Sequence, residues 1–223
     1  MRFIKYTALA VVTAVLIVFS GCSDKEVDKI NSYIEKTKDF EGGKLDYDTK
    51  EYSSDYWNLE FEFDDEWVIQ TPEQIQYLAD SSRDSVVAAG LKALQKENAG
   101  EDYINAYEKS VRIVPEFAAD HYLGEALGGT VLGYSIIKYS GETESIENVV
   151  PGMRAVMENG TIKQNEVTIC GEKYTAVEGV MARYREETDA VIFAREKDGV
   201  YFVIMIGFYD DGSTVDAFLE MVE

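Results

Sequence analysis

The stretch AVIFAREKDGVYFVIMIGF, residues 190–208, decides how the rest of the chain is read. Asp198-Gly199 falls between two apolar runs, and that dipeptide favours the positive backbone angles a two-residue hairpin turn needs. The spacing predicts antiparallel strands at 190–195 and 200–208, joined by a Lys197-Asp198-Gly199 turn. Upstream, strands at 167–170 and 174–184 flank a Gly171-Glu172-Lys173 turn, so the C-terminal part reads as an antiparallel meander. Residues 130–139, TVLGYSIIKY, are apolar on both faces, which places that strand centrally in its sheet.

Earlier in the chain, Trp57, Leu59, Phe61 and Phe63 alternate with Asn58, Glu60 and Glu62. Period two predicts a half-buried strand with one wet face. Asp64-Asp65 form a turn, and Trp67-Val68-Ile69 begin a second short strand. Thr71-Pro72-Glu73-Gln74 supplies an N-cap, a proline at the first helical position and a capping-box glutamine. The helix it starts runs to about residue 98, with Ile75, Leu78, Val86 and Ala93 inward. Tyr103, Ala106, Tyr107 and Ser110 suggest a further short helix, residues 111–114 are extended before Pro115, and 118–127 again carry a helical pattern. A helix is expected between 142 and 159, with Ile146, Val149, Val150, Met153, Val156 and Met157 inward. Ser213 caps a closing helix through Met221, with Asp216 completing a capping box. The order predicts an α+β fold, a mostly antiparallel twisted sheet with helices packed on its faces, as one globular domain over residues 56–223.

Arg2 and Lys5 are the only charges before Asp24, and residues 6–19 are apolar apart from Thr7 and Thr13. A basic start, an apolar run and a small-residue junction are the marks of an export signal, residues 1–21. Fourteen helical residues rise about 21 Å, short of the roughly 30 Å hydrocarbon core that a permanent span must cross. Residues 22–55 are polar around Gly42-Gly43 and read as a flexible tether, with Val27, Ile30 and Ile34 spaced for one short amphipathic helix.

Phe19-Ser20-Gly21-Cys22 resembles the lipobox of bacterial lipoproteins. That resemblance implies diacylglycerol transfer to the Cys22 sulfur, cleavage between Gly21 and Cys22, and anchoring at the outer face of the cell membrane. Two acyl chains hold a protein stably where one is marginal.

Loss of residues 1–21 removes two basic residues and leaves 19 Lys+Arg against 42 Asp+Glu, a formal charge of −23. Such a surface repels nucleic acid and anionic headgroups, since both need cationic contacts. With Cys22 acylated, Cys170 has no thiol partner, so the exported domain is held by its core and not by a disulfide.

Chemistry is sparse. His121 is the one histidine, so any Ser–His–Asp or Cys–His pair would have to use it, the latter with Cys170. No Cys/His cluster has zinc spacing. Glu60, Glu62 and Asp64 alternate on a strand's outer face and read as solvated. Asp210-Asp211-Gly212-Ser213-Thr214 lacks the spacing of a calcium loop and reads as a turn followed by an N-cap. Gly124, Gly128, Gly129 and Gly133 form no phosphate loop. Tyr47, Tyr52, Tyr56 and Trp57 offer aromatic surface for a glycan or peptide, against core burial for Trp57 and tether contacts for the others. The expectation is no catalytic residue, no metal and no cofactor.

The element order, with Asp65-Glu66-Trp67 after the first strand, resembles the PsbP-like fold. Tyr52, Asp55, Trp57, Phe61, Trp67, Ile69 and Thr71, the hairpin EVTICGEKYTAVEG at 166–179, the strand DGVYFVIMIGF at 198–208 and the closing FLEMVE are similar to small lipoproteins of Gram-positive, mostly clostridial, bacteria. The resemblance covers roughly residues 52–223 and implies no catalytic motif. The function expected is a non-enzymatic, lipid-anchored extracytoplasmic binding module or accessory protein of the cell envelope. The alternatives are an envelope hydrolase using carboxylates, or an acidic cation-binding surface protein.

Overall fold

The computed structural model describes residues 24–96, 98–139, 163–183 and 186–222. The elements run α1 (Asp24–Thr37), β1 (Lys44–Leu45), β2 (Glu51–Ser54), β3 (Leu59–Glu62), β4 (Trp67–Ile69), α2 (Pro72–Lys96) and α3 (Glu101–Ser110). They continue as β5 (Arg112–Leu123), β6 (Ala126–Ile137), β7 (Lys163–Ile169), β8 (Glu172–Arg183), β9 (Glu186–Lys197), β10 (Val200–Phe208) and α4 (Ser213–Met221). The structure is α+β. Seven antiparallel strands form one sheet in the order β4-β5-β6-β10-β9-β8-β7, and β1-β2-β3 form a second, smaller sheet.

The meander follows its turn chemistry. Asp198 and Gly199 both have positive φ, as do Cys170 and Gly171, giving two-residue turns whose twist matches the flanking strands. Strand β10 lies centrally between β6 and β9 and is buried along both faces. Its side chains alternate between two cores: Phe202, Ile204 and Ile206 meet the small sheet and α4, while Tyr201 and Val203 lie in the core that α2 covers. Trp57, Leu59, Phe61 and Phe63 are buried and Glu60 and Glu62 exposed, as the alternation requires. The capping box at α2 is in place: Thr71 N–H donates to Gln74 Oε1 at 2.8 Å, and Gln74 N–H to Thr71 Oγ1 at 3.4 Å.

Several expectations are corrected. The flexible tether over residues 22–55 is structured from Asp24 onward. Ile30 and Tyr52 are fully buried, and Arg112 on β5 donates to the carbonyls of Thr37, Lys38 and Phe40 where α1 ends. A guanidinium at a helix C-terminus satisfies carbonyls that have no partner within the helix. Residues 118–127 are not helical but the β5–β6 hairpin, in which Ala118 and Ala119 face opposite cores. The first strand is shorter than the alternating run, because Asn58 takes positive φ and the chain turns there. On α2, Ile75, Ala79 and Val87 are buried and Ala93 is exposed. The expected helix at 142–159, the export signal, Gly21 and Cys22 lie outside the described residues. Among the described residues, no helix is long and apolar enough to cross a membrane.

Candidate functional site

Strand β5 carries Pro115, which has no N–H for the ladder, and a register shift between Pro115 and Phe117 leaves Glu116 as the extra residue of a β-bulge. The bulge turns Glu116 and Phe117 to the same face. The carboxylate thus enters the space between the two sheets, 4% exposed. Tyr52 Oη donates to its Oε2 at 2.8 Å, Gly43 N–H to the same oxygen at 2.5 Å, and Ser135 Oγ to its Oε1. Ser135 in turn accepts Trp57 Nε1–H at 3.0 Å. Burial pushes the Glu116 carboxyl above its ordinary range, and the donors from Ser135, Tyr52 and Gly43 oppose that. Burial, with the Glu116 carboxylate beside it, also pushes the Tyr52 phenol up.

Trp57 continues the row. Its indole stacks on Phe202, with ring centroids 5.1 Å apart, and the Arg195 guanidinium lies 5.5 Å from it on one side and 5.4 Å from the Tyr174 ring on the other. Glu172 Oε2 lies 3.5 Å from Arg195 Nη1. A buried carboxylate and a buried guanidinium therefore flank one tryptophan that the small sheet inserts.

A second polar centre lies where β5 meets α4. His121 is 1% exposed and packs at a tilt of 31° against Trp67, its register partner on β4, at 4.6 Å between centroids. Its Nδ1 is 2.9 Å from Thr214 Oγ1, and the Thr214 hydroxyl donates to Asp210 Oδ2 at 2.5 Å. Asp210 also caps α4, accepting from Gly212 N–H at 2.8 Å and Thr214 N–H at 3.1 Å. Burial raises the Asp210 carboxyl, but these donors outweigh it and hold the group below its ordinary value. The cap expected from Ser213 and Asp216 thus comes from Asp210, with Gly212 in the left-handed region at the N-cap. Gly128, the extra residue of a second bulge, lets the two elements close: a Cβ there would stand 2.9 Å from both Asp210 Oδ2 and Thr214 Oγ1. Glu66 Oε2 lies 3.6 Å from His121 Nε2.

The structure separates the residues that a Cys–His pair would need. Cys170 Sγ–H donates to the Val222 carbonyl at 2.8 Å, past the C-terminus of α4, whereas His121 bonds to Thr214 at its start. Nine helical residues put those ends about 12 Å apart. Burial raises the Cys170 thiol, away from the thiolate a nucleophile needs. Glu60, Glu62 and Asp64 are exposed, and no three His, Cys, Asp or Glu side chains among the described residues converge to hold a metal ion. Of the four aromatics, Trp57 and Tyr52 are fully buried, Tyr47 is exposed, and Tyr56 donates to the Lys197 carbonyl at 2.8 Å. Tyr52 is therefore a core residue and not a surface or tether contact. The sequence reading missed Glu116, Ser135 and Arg195. The signal at Glu116 was its place directly after Pro115, where a bulge is the way to keep proline inside a sheet.

No protein-family model matches the chain, and no curated protein matches it.

Proposed function

We propose that the protein is a lipid-anchored, extracytoplasmic binding module or accessory protein of the cell envelope, tied to the membrane's outer face through Cys22 and acting without chemistry of its own. The observation that carries the reading is the lipobox at residues 19–22 followed, after one residue, by a helix docked on the domain. Tyr33 fastens that helix: its hydroxyl donates to the Gly199 carbonyl at 2.7 Å and accepts Lys138 N–H at 2.9 Å. A hydrolase working through two acids needs both on one cleft. Glu116 is the one buried carboxylate among the described residues, and both of its oxygens are held by donors from the chain itself.

The test is made on native membranes. Intact-mass analysis should give a chain beginning at a diacylated Cys22, and Cys22→Ser should release the protein from the membrane fraction. Crosslinking before extraction should enrich one defined envelope protein over the released Cys22→Ser control. Unmodified Cys22 overturns the anchoring, and equal recovery from both forms overturns the membrane-proximal binding role.

A further inference from the structure

We infer that His121 and Glu66 are the protein ligands of a binding site for a divalent ion of the zinc type. The imidazole is fixed in one tautomer. Thr214 gives its only hydroxyl proton to Asp210, so its oxygen accepts from Nδ1–H, and in the neutral ring Nε2 keeps its lone pair for an ion. A carboxylate-backed hydroxyl behind the far ring nitrogen is the outer-shell arrangement that orients metal-ligating histidines. Trp67, packed against the ring at 4.6 Å, keeps it from turning.

Nε2 is buried and, among the described residues, has no hydrogen-bond partner. An orphaned acceptor in a dry site is costly unless something fills it. What faces it is Glu66 Oε2, at 3.6 Å. That is beyond the roughly 3.2 Å reach of a good N–H···O bond. It is close to the separation of about 3.4 Å that a nitrogen and an oxygen show when each lies about 2.05 Å from one tetrahedral zinc ion. Glu66 is 65% exposed, so its carboxylate can swing aside to admit an ion and close over it, leaving the solvent side to water ligands. Tyr122 N–H donates to the Glu66 carbonyl at 2.9 Å and holds the backbone beside His121. Asp64 and Asp65 precede Glu66 in the same exposed turn, and with Lys50 Nζ 3.5 Å from Asp65 Oδ1 the three acids keep a net charge of −2 (three less one) that draws cations to it.

Imidazole with a single carboxylate suits zinc, nickel or copper, whereas calcium wants six to eight oxygens. No metal motif announces this site, because its ligands are 55 positions apart and meet only through the Trp67–His121 strand register.

The full chain has one histidine, so a ring-labelled sample gives one imidazole signal pair to follow at fixed pH. Zinc chloride should shift the Nε2 resonance to saturation at one equivalent while Nδ1 keeps its proton, and calcium chloride at the same concentration should leave both unmoved. Glu66→Gln, at an exposed position that leaves the fold intact, should weaken zinc binding by about tenfold or more. An Nε2 signal that zinc does not move overturns the site. So does equal zinc affinity in Glu66→Gln, or a calcium response matching that of zinc.

Discussion

Replacing Tyr52 with Phe removes one oxygen from the buried polar row and leaves the ring's packing on Phe61 and Phe117, at 5.2 and 4.8 Å between centroids, in place. What is lost is the hydroxyl that donates to Glu116 at 2.8 Å. A bond to an ionised group is worth about 1.5–3 kcal/mol and one between neutral groups about 0.5–1.5, so the cost depends on whether Glu116 carries its charge. We expect a loss of about 2 kcal/mol where the carboxyl is ionised, falling toward about 1 kcal/mol as it is protonated. The sign follows from linkage. Burial raises the folded-state carboxyl above its ordinary value, so between the unfolded and folded titrations the native state holds more protons. Stability from this group is therefore greatest in acid and is lost as pH rises through the folded titration. Removing a donor raises the carboxyl further, so the variant's decline is steeper and the gap between the two proteins widens with pH. Urea unfolding from pH 5 to pH 8, followed by the fluorescence of the buried Trp57 and Trp67, measures that gap as a difference in midpoints at constant m. A gap of the same size at both ends, or no gap, refutes the charged, donor-held carboxylate.

Gly133 faces the edge of the Phe117 ring, which is fully buried and has no room to retreat, so Gly133→Ala should cost about 1–3 kcal/mol in thermal unfolding, partly recovered when Phe117→Leu is combined with it. Asp210→Ala removes the cap of α4 and should destabilise by about 1–2 kcal/mol, with amide exchange accelerating at Thr214 and Val215 more than along β10.

Where the sequence was legible, the local chemistry and the tertiary demand agreed. Asp198-Gly199 can make few other turns, the Thr71–Gln74 pair can only begin a helix, and the 57–63 alternation has one face to bury. The hairpin at 112–137 was harder to read, because Ala118 and Ala119 pack on opposite cores and show neither period. Residues 24–55 were misjudged for a related reason. Their anchors are single buried residues, Ile30 and Tyr52, spaced too widely to form a pattern, and the partner that holds the end of α1 is Arg112, more than seventy positions away. Glu116 and Arg195 belong to no local motif. They become a centre only when Trp57, in the turn between β2 and β3, packs over β6 and β10, the strands that lie between theirs.

That insertion also bears on the proposed anchor. Glu116 takes Gly43 N–H and the Tyr52 hydroxyl from the N-terminal segment, so the segment that looked like a spacer is what dries the carboxylate and completes the core. Cys22 stands two residues ahead of α1, and two extended residues reach about 7 Å. An acyl group on that sulfur would therefore hold the domain against the leaflet and not clear of it. The geometry limits which faces a membrane-embedded partner can reach. It leaves outward the end of the sheet where Glu66, His121 and Asp210 meet only if α1 points its first turn away from that end. An acidic globule so anchored would also be repelled by anionic headgroups. Were the anchor in place, that repulsion would favour orientations that turn the acidic 64–66 turn toward the solvent and leave it open to a divalent ion.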